Sequence, residues 1–305
     1  MTSPEEHVVR QRVVRWAKRV GVALAFLAVI AYTCISVISA GVLTRTNNRP
    51  PSLTPADLGT DARPWSVMAE DGITLRGCYL PTEERRRLIV IVHGMRSSWD
   101  RLAQLGRDLN TRGFDVLMFD LRGHGSSDPH RLTMGRAERS DVRVALMWAK
   151  IEGFSPERVG WLGHSMGGST VLMEAAENME ITAAVLDSPF GNLPELLDQQ
   201  LTLHSHLPKF FNPGIILAAH LVYGVRTDDL VPIESARKWG KRPLLLIHGE
   251  EDTIVPIEQG RLMADRVGES CEALFLPDVR HTEAYERLGD RYADAVASFF
   301  DRHLK

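Results

Sequence analysis

The chain has 305 residues, 44% of them hydrophobic and 25% charged, an ordinary globular composition with apolar residues for one large core or two small ones and no sign of disorder or repeats. Its net charge of −3 is uneven: residues 1–19 carry five Arg/Lys against two Glu, leaving 31 basic and 37 acidic residues elsewhere. That mildly acidic body argues against a nucleic-acid-binding surface.

From Gly21 to Leu43 the chain carries 23 residues without a charge, about 35 Å as a helix against a hydrocarbon core of about 30 Å. A transmembrane helix over 21–43 is expected. Arg10, Arg12, Arg15, Lys18 and Arg19 crowd its N-terminal side, whereas only Arg45 and Arg49 follow closely. The positive-inside bias therefore puts residues 1–20 in the cytoplasm and the body, after a single pass through the bilayer, outside. A cleaved signal peptide, with Ile38-Ser39-Ala40 as its site, and a buried core helix are the competing readings. The stretch exceeds the signal core of roughly 7–15 residues, which favours an uncleaved anchor. Cys34 follows Ala31-Tyr32-Thr33, which lacks the small residues of a lipoprotein site. The three cysteines are too few for a disulfide framework, so Cys78 and Cys271 are expected as free, buried thiols. No Asn-x-Ser/Thr sequon occurs.

Residues 44–63, with Pro50, Pro51 and Pro55, read as a linker between membrane and body. Within 64–305, short β-branched runs at 73–80, 88–92, 116–119, 159–162, 183–186, 243–247 and 272–276 alternate with helical patterns at 101–111, 139–151, 168–178, 258–267 and 291–303. Such alternation implies a mainly parallel central sheet covered by helices on both faces. Between Asp187 and Pro243 the rhythm breaks for about fifty residues, long for a connection. Residues of about 190–230 are expected to form a helical lid, with Phe210, Phe211, Ile215, Ile216 and Leu217 near the mouth of the site.

After the run Val159–Leu162 comes Gly163-His164-Ser165-Met166-Gly167, the G-x-S-x-G pattern of a strand-to-helix turn in which glycines flank a strained, outward-facing serine. A serine nucleophile needs a base to take its proton and a carboxylate to hold that base. After Leu244–Ile247 comes His248-Gly249-Glu250-Glu251-Asp252, and after the last run comes Asp278-Val279-Arg280-His281. The spacing from Gly249 and the following Val255-Pro256 favour Asp252 over Glu250 and Glu251 as the acid, and His281 is the base because His303 falls in the C-terminal helix. Backbone N–H groups of Met166 and of Met95, after His93-Gly94, suit an oxyanion hole. His93, His124 and His164 are expected to shape the site through hydrogen bonds. His204 and His206 resemble a metal pair but lack a third ligand, so they read as exposed lid residues and no metal is expected. Asp120-Leu121-Arg122-Gly123-His124-Gly125 lacks the Lys and spacing of a P-loop and reads as a tight turn.

The order Ser165, Asp252, His281, with the acid and the histidine each just past a strand, is that of an α/β-hydrolase and differs from other triad folds. From about Trp65 to Leu304 the chain resembles that superfamily, and it is most similar to the serine-aminopeptidase-like branch of small esterase-type hydrolases. His93-Gly94, the turn from Asp120 to Gly125, the Gly163–Gly168 elbow, Asp187-Ser188-Pro189, the segment ending at Asp252, and His281 carry the resemblance. It implies an α/β-hydrolase fold and a cofactor-free serine hydrolase site acting on a small-molecule or lipid ester. Substrate is poorly implied, because esterases, lipases, thioesterases and peptidases share this branch. A lipase or acyl-thioesterase, a serine aminopeptidase, and a non-catalytic binding protein remain the alternatives.

Overall fold

The computed structural model describes residues 4–46, 48–84 and 86–305; Met1–Ser3 of the basic segment, Asn47 of the linker, and Arg85 lie outside the described residues. Two units are distinguished: residues 4–44 with Leu201–Gly224, and Arg45–Gln200 with Val225–Lys305.

The second unit is built on an eight-stranded sheet of β1 (Arg63–Met68), β2 (Thr74–Leu80), β3 (Leu88–Val92), β4 (Asp115–Asp120), β5 (Val159–His164), β6 (Ala183–Asp187), β7 (Leu244–Gly249) and β8 (Cys271–Leu276), in the spatial order β1-β2-β4-β3-β5-β6-β7-β8. β2 is antiparallel to both β1 and β4, and every later pairing is parallel. The run Leu-Ile-Val-Ile-Val of β3 is buried on both faces, as a parallel strand between two helix layers must be. Val90 and Val92 join Phe119, Trp161 and Leu246 in one core. Ile89 and Ile91 join Met118, Val185, Phe299 and Phe300 in the other.

The helices are α1 (Pro4–Leu43), α2 (Ala103–Thr111), α3 (Glu138–Ile151), α4 (Met166–Ala175), α5 (Leu193–Ser205), α6 (Asn212–Tyr223), α7 (Pro232–Ala236), α8 (Ile257–Val267), α9 (Ala284–Leu288) and α10 (Asp290–His303). Two differences from the sequence reading stand out. The basic segment ahead of Gly21 continues the apolar helix without a break, giving one helix of 40 residues. The linker is tied down: Thr46 Oγ1 donates to the His130 carbonyl (2.6 Å), Asn48 to that of Ser127 (3.0 Å), and the Ser52 amide to Asp100 (2.8 Å). It ends by entering β1, an edge strand whose one buried residue is Trp65, packed on Phe119 at 5.4 Å between ring centroids.

Among the cysteines, Cys78 is buried, Cys34 is exposed and Cys271 is only partly covered, all three as free thiols. Burial pushes the Cys78 thiol up to about 12. Cys271 is less hidden than the sequence suggested because β8 is an edge strand with no fully buried position.

Candidate active site

Ser165 stands between the last residue of β5 and the first of α4, at φ 51° and ψ −119°, a conformation unfavourable for a residue with a Cβ. Its neighbours explain how the turn closes. A Cβ on Gly163 would lie 2.5 Å from the Gly168 Cα, and one on Gly167 would lie 2.3 Å from the Val92 carbonyl oxygen, so any side chain there would push strand, turn and helix apart. The Ser165 amide donates to the Asp187 carbonyl at 2.7 Å, which ties the turn to the end of β6.

Asp252 follows β7 and His281 follows β8, so the three side chains come from the C-terminal ends of parallel strands, where open α/β sheets place their sites. The Ser165 hydroxyl donates to His281 Nε2 at 2.8 Å, and His281 Nδ1 donates to Asp252 Oδ2 at 2.6 Å. The amides of Ile254 (2.9 Å) and Val255 (2.8 Å) donate to the other carboxylate oxygen. Burial opposes ionisation of Asp252; hydrogen bonds from His248 and His281, the His281 charge and the Val255 amide overcome it and hold the carboxyl at about 2. Glu250 faces Arg261 instead, at 3.2 Å, and Glu251 is exposed. His303 lies beside Glu272 at 3.5 Å.

Met166 opens α4, so its amide belongs to the first helical turn, where N–H groups have no intrahelical partner. A Cβ on Gly94 would sit 3.3 Å from the Ser165 Cβ, and the chain from Gly94 to Met95 therefore passes directly over the elbow. His93 and His124 are fully buried. His93 Nδ1 donates to the Gly94 carbonyl (2.7 Å) and its Nε2 accepts from the Leu121 amide (3.0 Å), while His124 Nδ1 donates to the Arg122 carbonyl (3.0 Å). Burial lowers both imidazoles to about 4, opposed by the carbonyl each one bonds; the neighbouring His93 depresses His124 further. Neutral rings thus lock the Gly94 loop to the turn after β4. In that turn Asp120 accepts from the amides of Trp99 and Ser126, each at 2.8 Å, and buried Arg122 pairs with buried Asp141 at 2.8 Å.

Two groups that sequence reasoning assigned no role complete the site. His248 is buried against Asp252, its Nε2 3.3 Å from Oδ2 and 2.9 Å from the Val255 carbonyl; its place four residues before the acid was the available signal. Ser188, at φ 52°, donates to Asp187 Oδ1 (2.9 Å) and accepts from the Thr282 amide (3.2 Å), while the Tyr292 hydroxyl donates to Asp187 Oδ2 (3.0 Å). The segment after β6 thereby holds the loop that carries His281. Of the lid residues, Phe211 and Ile215 are buried, whereas Phe210, Leu217 and His204 are exposed.

Residues 83–229 match the family model described as serine aminopeptidase, S33, a stretch that includes Ser165 and stops short of Asp252 and His281. The YfhR protein of Salmonella typhi is 24% identical over 299 residues, 92% of this chain and 94% of that protein. The esterase Pf2001 of Pyrococcus furiosus superposes with a TM-score of 0.69 at 24% identity, covering 86% of this chain and 99% of that one. A membrane phospholipase A described as a bacterial virulence factor superposes with a TM-score of 0.60 at 18% identity, covering 94% of this chain and 98% of that one.

Proposed function

We propose, from the α/β-hydrolase fold and the match of residues 83–229 to the serine aminopeptidase, S33, family model, a membrane-anchored serine hydrolase that cleaves carboxylic esters through an acyl-enzyme on Ser165. The observation that carries this reading is the hydrogen-bonded series from the Ser165 hydroxyl through His281 to Asp252. His281 Nε2 takes the serine proton as Oγ attacks the ester carbonyl, and Asp252 holds the ring in the tautomer that leaves Nε2 free to accept. The amides of Met95 and Met166 stabilise the tetrahedral oxyanion. His281 then gives its proton to the departing alcohol, and water repeats the sequence to release the acid. Labelling with a fluorophosphonate probe tests the nucleophile, and an absence of label on Ser165 would end the proposal. With esters of graded length, each added methylene is worth about 0.8 kcal/mol when buried, so kcat/KM should climb about fourfold per carbon until the acyl pocket is full.

A second reading, aminopeptidase action, is favoured by the description of the matching family model. It requires a carboxylate to hold the substrate ammonium. Amino-acyl arylamides cleaved as fast as butyrate or hexanoate esters would establish it in place of the esterase.

The uncharged stretch 21–43 of α1 is exposed on nearly all sides and has the length and hydropathy of a membrane span. Its basic N-terminal flank supports an anchor with residues 1–20 in the cytoplasm and the catalytic unit on the opposite side.

A further inference from the structure

Within the first unit, α6 lies against the second half of α1. The Tyr32 hydroxyl donates to the Phe210 carbonyl at 3.1 Å, its ring stacks on Phe211 at 5.0 Å between centroids, and the Tyr223 hydroxyl donates to the Val37 carbonyl at 3.1 Å. The two helices approach closely through small residues: Ser36 and Ala40 are buried on α1 and Ala218 on α6. A Cβ on Gly214 would meet Ser36 Oγ at 2.5 Å. Helices pair this way where no water drives them together and packing must suffice.

The register along α1 has a consequence for depth. Tyr32 stands midway along the uncharged stretch 21–43 and Val37 closer to its end, so α6 runs beside the portion of the anchor that occupies the leaflet on the catalytic unit's side. A helix at that level must be apolar on the face turned away from its partner. Leu217, Leu221 and Val222 are 57%, 72% and 55% exposed; Leu217 and Leu221 lie four positions apart on one face of α6. From Phe210 to Gly224 the only titratable side chains are those of His220 and Tyr223.

We propose that the outward face of α6, through Leu217, Leu221 and Val222, docks into the acyl-chain layer of that leaflet. α6 is then, with α1, a second membrane-embedded element of the first unit. The continuity of this face with the exposed surface of α1 argues for lipid as its occupant. The proposal rests on the reading of residues 21–43 as an anchor, and the test separates the two.

The full chain carrying Cys34→Ser and Cys271→Ser is labelled with bimane at Leu221→Cys, at Val222→Cys or, for reference, at Leu27→Cys in the uncharged half of α1 without α6. Each protein is placed in nanodiscs of phosphatidylcholine bearing mid-chain doxyl groups. At least about a twofold loss of bimane intensity is expected at Leu221 or Val222 as well as at Leu27, as for probes in contact with acyl chains. Quenching at Leu27 without quenching at Leu221 or Val222 overturns the proposal and leaves the anchor standing. Quenching at none of the three overturns both. Disulfide formation between two copies through Leu221→Cys, with Leu221 and Val222 shielded from doxyl lipid, assigns the face to a second copy and overturns the lipid assignment.

Discussion

A carboxylate held at about 2 is fully ionised above pH ~4, and that fixes what Asp252 does in the proposed reaction. It orients His281 and balances its charge without giving up a proton. Asp252→Asn should therefore lower kcat by about ten-thousandfold, because the amide no longer fixes the tautomer of the base. Glu251→Gln, at an exposed position, should leave kcat close to that of the parent, and a crippling loss there would move the acid assignment to Glu251. His248→Asn should fall between them, at about tenfold, the worth of one hydrogen bond to a charged group. The pH dependence has a defined sign. Since the folded carboxyl titrates below its usual 3.8, its contribution to stability, about 2 kcal/mol, is complete above pH ~4 and lost as pH falls through about 2. Urea unfolding followed from pH 5 downward should show this loss in the parent and not in Asp252→Asn. Ser165→Ala and His281→Ala should each abolish turnover by about a millionfold while leaving the unfolding midpoint near that of the parent, since both remove a partner from a unit that acts together. Near-native hydrolysis by Ser165→Ala would remove the mechanism.

At the scale of elements, the turn after β4 supports the site through the Leu121 amide, which donates to His93 beside the Gly94 loop. Arg122 offers its amide and Nε to Asp141, at 2.9 and 2.8 Å, and Nη1 to Asp71 at 2.7 Å. Asp141→Asn leaves a buried guanidinium with half-exposed Asp71 as its remaining charged partner, and should cost about 3 kcal/mol, read as a lower urea midpoint with an unchanged slope. A change below the precision of that midpoint would show that Asp71 alone suffices. The same elements explain what could be read from sequence. β3, β5, β6 and β7 are continuous apolar runs because both their faces are covered; Ser165 and Asp252 follow β5 and β7, while His281, which the structure brings within hydrogen-bonding reach of both, follows the edge strand β8. β1 escaped because Arg63-Pro64 resembles linker and the strand buries only Trp65. His248 was legible as a strand-end residue, but its contact with Asp252 depends on how the loop from Gly249 to Val255 folds back. The pairing of α1 with α6 had no local signature, since composition reports how apolar a helix is and leaves its partner unspecified.

For the whole molecule, the proposed anchor predicts where each unit resides. Protease added to intact spheroplasts should cleave the catalytic unit, and protection until lysis would reverse the topology. Deleting residues 1–45 should leave hydrolysis of a soluble short-chain ester close to that of the full chain, as no group of the proposed site lies there. It should also strip α6 of the surface that covers Phe211, Ile215 and Ala218. The truncated protein is therefore expected to self-associate by light scattering unless detergent is present, and a monodisperse, detergent-free species would mean that α6 finds another partner.

The contact between Tyr32 and Phe210 joins positions 178 apart, and biosynthesis meets them in order. At about 5–20 residues per second, roughly 10–40 s separate the emergence of α1 from that of its companion. Throughout that interval the first helix presents Ser36, Ala40 and Gly41 bare, while β1 to β6 and the serine turn are already being laid down. When α6 arrives it is a mainly apolar helix, complementary to a surface that the proposed anchor already holds in the membrane. With the proposed anchor in place, maturation ends where it began, at the bilayer, and a nascent chain parted from its first helix completes the sheet with the last helical pairing still unmade.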